Sequence, residues 1–149
     1  MIIQIILCTI AVIGFAIIFN VPRRELIFCG LAGAAGWTAF TLIITFTAGT
    51  AIISTFVAAM TVTIFARILS TLRKMPSTLY IIPGIIPLVP GSLLYATMFY
   101  VVNGYHGQAM VQGVEALAIA GVIALGLLVI FSLPRKLFYF KIKVPKGGN

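Results

Sequence analysis

The residues best suited to chemistry lie in a stretch rich in proline and glycine within a long apolar segment, Tyr80-Ile81-Ile82-Pro83-Gly84-Ile85-Ile86-Pro87-Leu88-Val89-Pro90-Gly91-Ser92. Each proline removes a backbone donor and clashes with the preceding helical turn, so the stretch predicts a broken helix. Ser92 to Val102 contains neither proline nor glycine and predicts a half-helix that begins near Gly91. The first amides of a helix bind carboxylates, and transporters use broken helices in this way. We predict a substrate site here, with a merely kinked structural helix as the alternative.

Two charged residues within or at the ends of apolar segments are further candidates. Glu115 lies a few residues inside a predicted span, where it either couples transport to a proton or cation or simply reaches the membrane interface. Arg67 ends another predicted span and is either a topology charge that reaches the cytoplasmic surface or a partner for a substrate carboxylate.

The inventory of reactive side chains argues against catalysis. The chain has no Asp, two Glu and one histidine, His106, which we predict to be a solvated loop residue. Paired carboxylates and a Ser-His-Asp triad therefore lack parts. Cys8 and Cys29 are predicted to lie toward opposite membrane faces, which argues against a disulfide, and no Cys/His spacing indicates a metal. We expect neither enzyme activity nor a metal or cofactor.

The composition places these residues in a membrane. Of 149 residues, 62% are hydrophobic and 8% are charged, whereas soluble domains carry about a quarter charged residues. A transmembrane helix needs roughly 20 residues, so the chain accommodates about five. We predict an all-α polytopic membrane helix bundle over residues 1–131, with the fourth span broken by Pro/Gly and a basic cytoplasmic tail at 132–149. The predicted spans are 2–19, a retained span rather than a signal peptide, 26–46, 50–69, 79–102 and 111–131.

The ten basic residues give a net charge of +8 and lie beside the apolar runs in three clusters: Arg23 and Arg24; Arg67, Arg73 and Lys74; and Arg135, Lys136, Lys141, Lys143 and Lys146. With five spans, all three clusters lie on one side, so the positive-inside rule places the N-terminus outside and the C-terminus in the cytoplasm. The clusters form no continuous basic face with interleaved aromatics, and we expect no nucleic-acid partner. The tail could contact anionic lipid headgroups of the bilayer.

Two predicted spans carry small residues, which let membrane helices pack closely. We interpret them as packing within the chain, with a contact to another subunit or a homo-oligomer as the alternative. The residues are Gly30, Ala32, Gly33, Ala34, Ala35 and Gly36 in the second span, and Gly113, Ala116, Ala120 and Ala124 in the fifth.

Two longer strings match one known family. The first is Gly14-Phe15-Ala16 through Phe19-Asn20-Val21-Pro22, followed by Arg24, Leu26, Cys29 and Gly30. The second is Ile82-Pro83 … Pro87-Leu88-Val89-Pro90-Gly91, followed by Tyr95. Together they resemble the short subunit of the threonine/serine exporter (ThrE-like) family. Their order and spacing and the five-span length also agree, so the resemblance covers nearly the whole chain.

The resemblance implies an exporter built from two membrane halves, of which this chain is similar to the shorter, second one. A separate membrane subunit of the same family is therefore the implied partner. The implied activity is export, linked to the proton-motive force across the cell membrane, of small carboxylate-bearing solutes: threonine and serine in some members, dicarboxylates such as succinate in others. The substrate-site candidates are Ser92, from the predicted half-helix, and the family-matching positions Asn20, Arg24, Pro83, Gly84, Pro87, Pro90, Gly91 and Tyr95.

Three other functions stay open at this point. The strongest is a structural or assembly subunit of a larger membrane complex, with a kinked helix and no substrate site of its own. A channel formed by homo-oligomers is the second. An intramembrane enzyme is the weakest, because acid/base pairs are absent.

Overall fold

The computed structural model describes residues 2–46 and 50–134, and this part of the chain contains helices and turns but no strand. The all-α bundle predicted from composition is thus confirmed. Residues 135–149, with most of the predicted basic tail, lie outside the described part, as does the 47–49 connection. In chain order the helices are α1 (Ile2–Ile18), α2 (Leu26–Phe46), α3 (Ala51–Arg73), α4 (Thr78–Ile85), α5 (Gly91–Val102) and α6 (His106–Ser132), with a 3-10 turn at Ile86–Leu88.

The helix lengths give three to four candidate membrane spans within the described residues. Helices α2, α3 and α6 are each long and apolar enough to cross a membrane. Thr78–Leu88 and Gly91–Val102 together form one further candidate span, bent by 50°. Helix α1 is apolar but has only 17 residues, about 25 Å of helix against a hydrocarbon core of about 30 Å. The total of five spans therefore depends on α1.

Helix α2 lies at the centre of the bundle, packed against α1, α3 and α4, while α3 also packs against α6. Glycines permit this close approach: a β-carbon at Gly33 would lie 2.5 Å from Val12 Cγ2, and one at Gly36 would lie 2.3 Å from Val62 Cγ2. Packing within the chain thus accounts for the buried glycines of α2. On α6, by contrast, Ala116 is buried and Ala120 is exposed, so only part of that small-residue set packs inside the bundle.

Helix α5 is the least enclosed element. It packs chiefly against α6, and none of its residues is buried within the described chain. Six of its large apolar side chains are exposed: Leu94, Tyr95, Met98, Phe99, Val101 and Val102.

Candidate functional site

The break in the fourth span lies between Leu88 and Gly91. Helix α4 passes through Pro83 and continues into the 3-10 turn. The chain then leaves the helical conformation at Val89, with ψ 133°, and at Pro90, with ψ 59°, before α5 begins. The broken helix predicted for residues 80–92 is confirmed, but the break is confined to the second half of this stretch, because Pro83 and Gly84 are both helical.

Pro83 is accommodated because a neighbouring helix supplies the missing donor. Proline has no N–H for the carbonyl four residues earlier, that of Leu79. The Sγ atom of Cys29 on α2 lies 3.5 Å from the Leu79 oxygen and donates to it. The carbonyl freed by the proline is therefore bonded inside the bundle, as backbone in a membrane must be.

Gly84 brings α4 close enough for this contact. A β-carbon at Gly84 would lie 2.9 Å from Val62 Cγ1 on α3 and 3.8 Å from the backbone nitrogen of Gly33 on α2. Gly84 therefore permits close packing of α4. Gly91 has no such role, because a β-carbon there would meet nothing within 4 Å.

The N-terminus of α5 presents backbone donors at the break. The Gly91 N–H donates to the Val89 carbonyl at 2.8 Å, and the Leu94 N–H donates to the Pro90 carbonyl at 3.1 Å. Between them, the amides of Ser92 and Leu93 have no backbone acceptor in the described part of the chain, as expected in a first helical turn. Gly91 and Ser92 are exposed, so the predicted half-helix has an open N-terminus.

A separate cavity of about 260 Å³ lies where the turn after α1 meets α4. Asn20, in the left-handed conformation with φ 59°, is one of its lining residues, and Pro83 is another. Positive φ is tolerated by asparagine more readily than by most residues. The two family-like strings, far apart in sequence, thus contribute to one cavity. Its lining is Phe19, Asn20, Val21, Pro76, Thr78, Leu79, Ile82 and Pro83.

The remaining predicted substrate residues are spread along the chain. Pro87 is half-buried in the 3-10 turn, and Pro90 is buried in the break. Tyr95 is 74% exposed on α5 and stacks with Phe99, their ring centroids 6.5 Å apart. Arg24 is exposed before α2. The structure therefore groups Asn20 with Pro83, and Pro90 with Gly91 and Ser92, as two separate sets.

Arg67 is buried within α3, about two turns before the end of the helix at Arg73. Its Nη1 donates to the carbonyl of Ile130 and, at 3.0 Å, to that of Leu133. The guanidinium also lies 5.7 Å from the centre of the Phe131 ring. A cation favours the negative end of a helix dipole, so Arg67 caps the C-terminus of α6, a role that sequence reasoning did not include.

Glu115 lies on the exposed side of α6, in a groove of about 530 Å³ between α6 and the start of α3. Its carboxylate forms no ion pair with the described residues. Apart from Thr50, its neighbours in the groove are apolar: Ala51, Ile52, Met110, Val111, Val114 and Ala118.

Sequence reasoning missed a polar cluster in which buried Glu25 and Tyr80 meet the exposed Arg73. Arg73 binds the Glu25 carboxylate through Nη2, 2.7 Å from Oε1, and through Nε, 3.1 Å from Oε1. The Tyr80 hydroxyl donates to Glu25 Oε2 at 2.8 Å. Glu25 is 5% exposed, and Tyr80 is fully buried. The cluster joins the loop before α2 to the end of α3 and to α4. The available signal was that Glu25 and Arg73 lie on the same side of the predicted topology.

The electrostatics of this cluster favour the ionised carboxylate. Hydrogen bonds from Arg73 are the main cause of a lowered Glu25 pKa, burial opposes them, and the Tyr80 hydroxyl adds to the lowering. The Arg73 guanidinium also lies 4.7 Å from the centre of the Phe28 ring. The ionised Glu25 carboxylate thus connects three segments of the chain through its hydrogen bonds to Arg73 and Tyr80.

Comparison with known proteins identifies the family. The model of the family described as Threonine/Serine exporter, ThrE, matches residues 4–133. This range includes the broken span and both strings that line the smaller cavity. No solved structure matches the chain. The family is one of transporters rather than enzymes, and the apolar helices agree with a membrane protein. The chain therefore belongs to the threonine/serine exporter family.

Proposed function

We propose that this chain is one subunit of a secondary transporter that exports small carboxylate-bearing solutes, either threonine and serine or a dicarboxylate such as succinate. It acts with a second membrane subunit of the same family, with its N-terminus outside and its C-terminus in the cytoplasm. The observation that carries the proposal is the bent fourth span, whose second half, α5, starts with unbonded amides.

The chemistry of the break suits a carboxylate. The amides of Ser92 and Leu93 are donors at the positive end of the α5 dipole, and all the solutes considered carry a carboxylate that can accept from them. The volume of the smaller cavity, about 260 Å³, is slightly below the volumes typical of pockets that bind drug-sized ligands. We assign this cavity, with Asn20 and Pro83, to the cytoplasmic entry of the solute.

The exposure of α5 supports a second subunit. Irregular backbone at membrane depth has to be covered by protein or face a water-filled cavity. Here α5 packs chiefly on α6 and buries none of its residues within the described chain. A partner that packs on α5 would cover the break and complete the substrate site.

The function itself is tested by efflux. Cells that express the chain with its partner should release labelled threonine, serine or succinate, and cells that express either protein alone should not. Absence of efflux of all three from cells with both proteins in the membrane would instead favour a structural or assembly subunit.

The role of the α5 amides is tested by replacing Ser92 with proline. Proline is tolerated at the first position of a helix, so Ser92→Pro deletes one free N–H and, because it disfavours the helical conformation of Gly91, lets α5 begin at residue 92. We expect efflux at low solute concentration to fall by about tenfold or more, the worth of one hydrogen bond to a charged group. Ser92→Ala keeps the N–H and should export normally. Equal efflux by the two variants, at equal amounts in the membrane, would argue against this site.

Glu115 is our candidate for coupling, because it is a carboxylate in an apolar groove of a membrane helix. In vesicles that contain both subunits, Glu115→Gln should lose the acceleration of transport by an imposed pH gradient while exchange of labelled solute without a gradient continues. Glu115→Asp retains the acid and is the matched control. A Gln variant that responds to the gradient like the unmodified protein would remove Glu115 from the coupling step.

A further inference from the structure

Among the side chains of the described bundle, one buried polar atom has no hydrogen-bond partner: Nε1 of Trp37 on α2. The indole stacks on Phe40 with ring centroids 5.4 Å apart. A buried donor without an acceptor bears the full cost of its lost hydration. Such atoms are few in native structures, and each calls for a physical explanation.

The register between α2 and α4 places Trp37 at the level of the break. The two helices are parallel: Cys29 bonds to the carbonyl of Leu79, and one turn further along α2 the backbone of Gly33 approaches Gly84. The two residues in contact differ by 50 in residue number in the first case and by 51 in the second, so the offset between the helices is nearly constant. One more turn along both helices brings Trp37 level with Pro87 and Leu88, immediately before the break.

Packing agrees with this placement. Trp37 packs against a cluster of buried apolar residues, defined by Ala58, Ala59, Val62, Leu88, Ile119 and Ile123. Leu93, in the first turn of α5, packs against the same cluster. The Trp37 side chain, which also packs against the cluster that contains Tyr80 and Ile81, therefore shares an apolar neighbourhood with residues on both sides of the break.

We propose that the indole N–H of Trp37 is part of the substrate site and donates a hydrogen bond to a carboxylate oxygen of the solute held at the break. This inference rests on the proposed function and adds a side-chain donor to it. An indole N–H is a donor only, so it serves an anion and not an ammonium group. The cluster around it has no charge of its own, which strengthens a hydrogen bond to an ionised acceptor.

The direct test uses the fact that Trp37 is the only tryptophan in this chain. The complex labelled with ¹⁵N-tryptophan gives one indole signal from this chain, which Trp37→Phe assigns by its disappearance. Adding threonine, serine or succinate should shift the indole proton downfield for the solute that binds. Ethanolamine, which has the hydroxyl and amine of serine without the carboxylate, should leave it in place. No shift with any of the three carboxylates, or an equal shift with ethanolamine, would overturn the proposal.

Trp37→Phe also separates binding from packing. It keeps an aromatic ring but removes the N–H together with the five-membered ring of the indole, and we expect the KM for efflux to rise about tenfold with an unchanged maximal rate. Thermal stability should fall modestly, because the smaller ring leaves part of the indole's space empty, and the loss of an unsatisfied donor offsets only some of that cost. Phe40→Leu disturbs the stacked ring and keeps the N–H, and its KM should stay normal. Lower stability with an unchanged KM in Trp37→Phe is the signature of a purely structural tryptophan and would contradict us.

The two proposals can fail separately. If the unmodified complex exports none of the three solutes, the proposed function fails, and the indole titration still decides the inference because it measures binding directly. If export occurs while the indole signal does not move, the function stands and the role of Trp37 falls.

Discussion

Replacing Gly36 by alanine is expected to destabilise the bundle by about 2–3 kcal/mol, the upper part of the range for overpacked cores. The new β-carbon would lie 2.3 Å from Val62 Cγ2. Val62 is β-branched, and such side chains keep one strongly preferred rotamer in a helix. Its other methyl carbon, Cγ1, packs closely against Gly84, where an added β-carbon would lie only 2.9 Å away.

The measurement is thermal unfolding in detergent, with the monomeric fraction followed by size-exclusion chromatography. Val62→Ala added to Gly36→Ala should restore part of the loss, with a coupling of about 1 kcal/mol or more between these touching positions. Gly121→Ala in α6 is the matched control, because a β-carbon there meets nothing within 4 Å. It should be neutral or stabilising by up to about 1 kcal/mol. Equal stability of the Gly36 and Gly121 variants would show that the close approach of α2 and α3 is not as described.

Removing the Glu25 carboxylate is expected to have the second large effect. Glu25→Ala leaves the Tyr80 hydroxyl, 2.8 Å from Glu25 Oε2 and fully buried, without an acceptor. That loss alone is worth about 1–3 kcal/mol, and the freed Arg73 adds to it. Tyr80→Phe removes the hydroxyl together with its need for a partner and should cost less. If Glu25→Ala unfolds at the same temperature as the unmodified protein, the cluster contributes nothing to stability.

The same cluster predicts how stability depends on pH. The Glu25 pKa is lowered on folding, chiefly by hydrogen bonds from Arg73. A carboxyl of this kind stabilises the fold above its unfolded pKa, ordinarily about 4.5, and this stability is lost as the pH falls through the lowered, folded value. We therefore expect the contribution of Glu25 to be constant from pH 7 to about pH 5 and to decline below about pH 4.5. The stability of Glu25→Gln should fall less steeply below about pH 4.5. If it falls as steeply as that of the unmodified protein, groups other than Glu25 cause the loss of stability in acid.

The predictions from sequence succeeded where the physical cause is local. Prolines at 87 and 90 lack backbone donors wherever they occur, so a break and a following half-helix could be expected near Gly91. The position of the break could not be deduced in full, because the helix passes through Pro83 with the help of Cys29, some 50 residues away. A bond of that kind depends on how α2 and α4 pack together, which periodicity does not specify.

The same limit applies to the polar residues. Each family-like string could be recognised by itself, but the meeting of Asn20 and Pro83 in one cavity depends on where the turn after α1 lies against α4. The roles of Arg67 and Glu25 depend on the rotation of α3 about its axis. This rotation directs Arg67 toward α6 and Arg73 toward Glu25 in the loop before α2. Pairing acids and bases by predicted membrane side would have suggested a basic partner for Glu25, but not Arg73 in particular, because all ten basic residues are predicted on that side.

The junction between α4 and α5 also has a mechanical consequence. The ring of Pro90 fixes its own φ, the residue before a proline is held in extended conformations, and the Gly91 N–H is bonded back to Val89. The backbone at the junction is therefore rigid, and α5 moves together with α4. Its 12 residues are about 18 Å long, so a tilt of α4 by about 10°, transmitted through the rigid junction, moves the far end by about 3 Å. Small adjustments in the packing of α4 are thus magnified at Val102.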